Sequence, residues 1–149
     1  MSPRDVNDRA RLEWRELGFF YNVDSSSRER QLLGSKTGLL GFRDLLLRYA
    51  DNPRNDVKSE HDHYGPYGHL EIMTWPDAGM DHHAIYGSLA DLRRLASLVE
   101  EKLAEAQPGK MIRIREEYAG ESTYTLVLDV RPDDFDPASA DPYLSDRAG

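Results

Sequence analysis

Three features of the chain predict an α+β fold: two capped stretches with helical apolar spacing, several short stretches alternating at period two, and an interleaved order of the two kinds. Read as strand, helix, strand, strand, helix, strand, strand, that order is the split βαβ arrangement of a ferredoxin-like sandwich with an extra C-terminal strand. It predicts one antiparallel sheet with both helices on one face and the other face open to a partner.

With 149 residues the chain suits one domain with one sizeable core. Residues 1–12 read as a charged N-terminal arm, 13–131 as a single α+β domain, and 132–149 as an acidic, proline-containing tail that is extended or disordered. No repeat is legible in it.

In chain order, Leu17, Phe19, Tyr21 and Val23 share a face at period two, so Trp14 to Val23 reads as a strand, ended by Asp24-Ser25-Ser26-Ser27. Residues 28–34 fit either a returning edge strand or a loop. Ser35 or Thr37 can cap a helix over about 38–50, where Leu39, Phe42, Leu46 and Tyr49 make the apolar stripe and Asp51-Asn52-Pro53 stops it. Residues 54–68 are polar and long for a connection, which suits a functional loop. His69 to Trp75 and Met80 to Tyr86 read as a hairpin about Pro76-Asp77-Ala78-Gly79, with Trp75 opposite Met80 and Leu70 opposite Ile85. Ser88 and Asp91 form a capping-box start for a helix carrying Leu89, Leu92, Leu95, Ala96, Val99, Leu103 and Ala106, ending at Gln107-Pro108-Gly109. Ile112 and Ile114, then Tyr124, Leu126, Leu128 and Val130, mark the inner faces of two last strands.

Composition narrows the function classes. With no cysteine there is no disulfide, thiolate nucleophile or cysteine-based zinc site. A formal net charge of -8 repels a phosphate backbone, and Arg93, Arg94, Arg113 and Arg115 are the only candidates for a basic patch, so nucleic acid is not an expected partner. No apolar run reaches the roughly 20 residues of a membrane span, and Met1-Ser2-Pro3-Arg4-Asp5 leads into charges rather than an apolar signal core. The expected compartment is the cytoplasm, and an acidic chain favours a basic protein partner.

All five histidines fall between residues 61 and 83. Neutral imidazole is a common ligand for divalent transition metals, and alternate residues of a strand point the same way, so His61 and His63 can grip one ion. With His69, Glu71 and His82 they make a candidate metal set with a free coordination position. The open face of the expected hairpin carries a second candidate surface, for a protein partner or a second copy of the chain: Tyr64, Tyr67, His69, Glu71, Met73, Trp75, His82 and Tyr86, a composition typical of interface cores. Enzyme motifs are missing: there is no nucleophile elbow or dinucleotide fingerprint, and Gly34-Ser35-Lys36-Thr37 is no phosphate loop because position 29 is Glu29, not glycine.

The small acidic α+β chain, the His61-Asp62-His63 segment before a strand, and the junction Ile85-Tyr86-Gly87-Ser88-Leu89-Ala90-Asp91-Leu92 resemble uncharacterised bacterial proteins, some grouped with the immunity proteins of polymorphic toxin systems. The resemblance spans about residues 59–106. It implies a protein that neutralises a toxin by binding it, without a catalytic step, and it carries over no functional residue. A metal-binding protein or metal-dependent enzyme built on the histidines is the alternative.

Overall fold

The computed structural model describes residues 3–144, with side chains from residue 5 onward. In order the chain forms α1 (Pro3–Leu17), β1 (Phe20–Asp24), β2 (Glu29–Gly34), α2 (Lys36–Asp51), β3 (His61–Tyr64), β4 (Leu70–Thr74), β5 (Gly79–Met80), β6 (Ile85–Gly87), α3 (Leu89–Ala104), β7 (Met111–Ile114) and β8 (Thr125–Val130), with short 3₁₀ turns at Pro53–Asn55, Pro66–Gly68 and Pro137–Ala140. The strands make two mixed four-stranded sheets, ordered β1-β2-β8-β7 and β3-β4-β6-β5. The α+β class stands. The single antiparallel sheet of the split βαβ order does not, because each sheet has a parallel pair at its centre, β2 with β8 and β4 with β6.

The helices begin where local chemistry demands. Ser35 accepts a hydrogen bond from the Gly38 N–H at 3.0 Å, and Ser88 accepts from the Asp91 N–H at 3.0 Å while the Asp91 carboxylate accepts from the Ser88 N–H. Both helices bury the expected stripe: Leu39, Phe42, Leu46 and Tyr49 in α2, and Leu92, Leu95, Ala96, Val99 and Leu103 in α3. The two helices pack more extensively against each other than any other pair of elements.

These two junctions are one motif used twice, although the sequence shows no repeat. Each helix has 16 residues and follows a Gly-Ser pair whose serine has nearly the same backbone, φ -66 and ψ 166 for Ser35, φ -69 and ψ 166 for Ser88. The same offset aligns Leu39 with Leu92, Phe42 with Leu95, Leu46 with Val99 and Ala50 with Leu103. Two ββαββ units result, β1-β2-α2-β3-β4 and β5-β6-α3-β7-β8. Exchanging the units carries the order β1-β2-β8-β7 onto β5-β6-β4-β3, which is the second sheet. Each sheet therefore takes one hairpin from each unit, and each central parallel pair joins the two units. One difference between the units has a steric cause: a β-carbon at Gly38 would lie 2.0 Å from the Gly18 carbonyl oxygen, so α2 has glycine where α3 has the capping carboxylate of Asp91.

Of residues 28–34, Glu29–Gly34 form the returning strand β2, but as a central strand rather than an edge, with Arg30 opposite both Val23 and Leu126. Two further expectations about the chain are corrected. The segment from Trp14 is helical until Leu17: Ala10, Trp14 and Leu17 lie on one stripe of α1, with Ala10 and Trp14 buried, and Gly18 at φ 93 ends the helix by donating its N–H to the Trp14 carbonyl. The expected hairpin of residues 69–86 is replaced by a later reversal. The chain passes 76–79 and turns at residues 81–84, where Asp81 accepts from the His83 and Ala84 N–H groups. So β5 pairs with β6 in antiparallel fashion, and β6 lies parallel to β4 with Ile72 opposite Ile85. Leu70, Ile72 and Ile85 still share the buried face, since alternation depends on position along a strand and not on strand direction.

The ends of the domain are tied together. The segment expected as a loose arm is α1 from Pro3, and residues 132–144 of the expected tail pack on it, with Ala138, Asp141 and Leu144 buried. Arg15 makes two hydrogen bonds to Asp136, at 3.1 and 2.9 Å. The remaining parts of the expected arm and tail, residues 1–2 and 145–149, lie outside the described residues.

Candidate functional site

The side of the second sheet away from Leu70, Ile72 and Ile85 presents a row across all four strands: His61, Met73, Tyr86 and Gly79 are successive register partners. One step along, His63 is opposite Glu71, and beyond Met73 the Trp75 ring carries the Lys58 ammonium 4.6 Å from its centre. A β-carbon at Gly79 would stand 2.7 Å from the Tyr86 hydroxyl, so the outer end of the tyrosine ring lies against that strand. Burial pushes the Tyr86 hydroxyl above its ordinary pKa, and the charges of Asp81 and Asp77 add to this. β3 is an edge strand, and Glu60 and Asp62 are exposed but, with Asp62 opposite Ile72, lie on the other side of the sheet from His61 and His63.

Beside this face lies a cleft of about 420 Å³ lined by His63, Gly68, His69, Glu71, His82 and His83 and by Tyr21, Asn22 and Val23 of β1. Tyr21 pins its wall: the hydroxyl lies 3.1 Å from the Tyr64 and Pro66 carbonyl oxygens and accepts from the His69 N–H at 2.8 Å. Burial pushes that phenol up to about 12. Arg30, 2% exposed, donates to the Asp81 carbonyl at 2.9 Å and to the His82 carbonyl at 3.4 Å, holding the turn that presents His82 and His83. Burial lowers its pKa from the ordinary arginine value, and the charges of Asp81 and Glu71 oppose that shift.

The eight residues expected on one partner-binding surface divide four ways. Glu71, Met73, Trp75 and Tyr86 share the outer face. His69 and His82 line the cleft, which His63 and Glu71 join to that face. Tyr64 is opposite Leu70 and turns to the core side. Tyr67, left-handed at φ 67, turns to α1, where its hydroxyl donates to Asp141 at 2.7 Å. The cleft residues Tyr21, Asn22 and Val23 carry no chemical signal in the sequence, because only the fold brings β1 beside residues 68–71.

The metal set is likewise divided. His61 stands beside His63 on β3, with ring centres 5.2 Å apart, but outside the cleft that His63, His69, Glu71 and His82 border. Among the described residues no group of three or more histidines and carboxylates is arranged to hold a metal ion. His63 Nε2 lies 3.7 Å from Glu71 Oε1 and its Nδ1 bonds the Gly68 carbonyl at 2.8 Å. Among the described residues no serine or threonine hydroxyl bonds a histidine.

The four arginines weighed as a basic patch are engaged. Arg93 donates to the Ala50 carbonyl, Arg94 to the Glu117 and Tyr118 carbonyls, Arg113 to Glu29, and Arg115 to the Gly120 and Ser122 carbonyls. Among the described residues no helix is long and apolar enough to cross a membrane. No family model, curated protein or solved structure matches this chain.

Proposed function

We propose that the protein acts by binding a basic protein through the outer face of the second sheet, and that it neutralises a bacterial toxin in the manner of an immunity protein. One observation carries this reading: Met73, Trp75 and Tyr86 stand on one partly exposed sheet face that also carries the Glu71 carboxylate. Aromatic and methionine side chains supply the desolvated centre of an interface, and a surrounding charge of one sign steers a partner of the other. A net charge of -8 supports a basic partner, and the resemblance around residues 59–106 supports a toxin. Neither a cofactor nor a catalytic step is needed for this function.

The test is capture of the partner with the tagged chain, followed by titration of the purified pair. Trp75→Ala should weaken binding by about 2 kcal/mol, roughly thirtyfold. Glu60→Lys with Asp62→Lys should slow association and weaken its dependence on salt. Growth of cells producing the captured protein should be rescued by the native chain and not by the Trp75 variant. A partner whose affinity ignores all three positions, or a face covered by a second copy of the chain in sedimentation, would overturn the reading.

A further inference from the structure

We propose that His61 and His63 form a two-imidazole chelate for a divalent transition-metal ion on the exposed edge of the second sheet. This goes beyond the binding reading and is independent of it. Both histidines lie on β3 at alternate positions, so their rings leave the strand on the same side. The ring centres are 5.2 Å apart with planes at 88°. Two imidazoles sharing one ion at a metal–nitrogen distance of about 2.1 Å and a near-tetrahedral angle hold their ring centres about 5 Å apart. The observed spacing is therefore compatible with a shared ion.

The protonation of the rings is set as a chelate requires. His61 Nδ1 is 3.1 Å from the Ser59 carbonyl oxygen, and His63 Nδ1 is 2.8 Å from that of Gly68. A carbonyl oxygen only accepts, so in both neutral rings the proton sits on Nδ1 and the lone pair on Nε2. Metal-ligating histidines characteristically donate their second ring nitrogen to such a partner, which fixes ring orientation. Glu71, its carboxylate oxygen 3.7 Å from His63 Nε2, sets a negative charge beside one ligand. Water completes the coordination. With two protein ligands, selection among metals follows the intrinsic order of stability, copper(II) above nickel(II) and zinc.

The test titrates the full chain with copper(II), nickel(II) and zinc chlorides in a non-coordinating buffer, by calorimetry and by electron paramagnetic resonance of the copper form. One equivalent of copper(II) should bind, tighter than nickel or zinc, with two imidazole nitrogens in the spectrum. His61→Gln and His63→Gln should each weaken uptake by about tenfold or more, since even loss of an outer-shell partner has that size of effect. His82→Gln with His83→Gln should leave it unchanged. All four positions are exposed, and circular dichroism checks that the variants stay folded. Absence of uptake, uptake indifferent to the first two changes, or uptake lost only with His82 and His83 would each overturn the proposal.

Discussion

The indole N–H of Trp14 donates to the carboxylate of Asp141 at 2.8 Å, joining residues 127 positions apart in the chain. The same Asp141 oxygen accepts from the Tyr67 hydroxyl at 2.7 Å, and the other accepts from the Tyr143 N–H at 2.9 Å. Trp14 is 1% exposed and Asp141 2%, so the bond between them is shielded from competing water. The clamp fastens α1, the turn at Pro66–Gly68 and the C-terminal segment to one another.

Asp141→Ala leaves a buried indole donor unsatisfied and frees Tyr67 from its left-handed position. It should lower the unfolding free energy by about 1–3 kcal/mol in urea denaturation. Removing residues from Asp133 onward also exposes the apolar surface now covered by Ala138 and Leu144, and should lower stability further. A truncated chain as stable as the full one would contradict the packing described.

Ser88→Ala removes the acceptor of the α3 capping box and should destabilise the fold by about 1 kcal/mol. Ser35→Ala should do the same at α2. The two effects should add within about 0.5 kcal/mol if the caps act independently.

Ile85 is 0% exposed and lies opposite Ile72 across the parallel β4–β6 pair. Ile85→Ala should cost about 2–5 kcal/mol. Nuclear Overhauser contacts should connect residue 72 with residue 85 in the parallel pattern, and Leu70–Ile85 cross-strand contacts of an antiparallel hairpin should be absent.

Acid should destabilise the protein through identifiable carboxylates. Hydrogen bonds from Arg113 and Gln31 hold Glu29 below its usual range, and the hydrogen bond from Arg15 does so for Asp136. Burial pushes Asp91 up, but hydrogen bonds from Ser88 and Arg94 outweigh it and the net shift is downward. Each group binds its proton less tightly folded than unfolded, where the value is about 3.9–4.3. Their stabilisation is thus present above about pH 4 and is lost as pH falls through the lowered folded values. Asp91→Asn should flatten part of that decline. At the alkaline end, Tyr21 is pushed up to about 12 by burial, so its contribution is lost as pH rises from about 10 to 12.

The helix caps, the buried stripes of α2 and α3 and the inward residues of β4 and β8 were legible in the sequence because each rests on chemistry within a few residues. Ser88 and Asp91 are three positions apart, and alternation fixes which side Ile72 takes whatever strand lies next to it. The facing residues Met73, Trp75 and Tyr86 were legible for the same reason. The pairing partners were not. A short strand can pair in either direction, and only the reversal at residues 81–84, held by Asp81 and by Arg30 from the other sheet, makes β6 parallel to β4. α1 escaped notice because its stripe is thin among charges, and the tail because its apolar residues have no period. Both are ordered by contacts with each other. The sequence by itself determined the α+β class, the two central helices and the histidine-rich edge, whose causes are local. Only the tertiary structure decided the two mixed sheets, the cleft walled by Tyr21 and the clamp at Asp141, because those depend on contacts between groups far apart in the chain, whose free energy appears only once the whole fold excludes water from them.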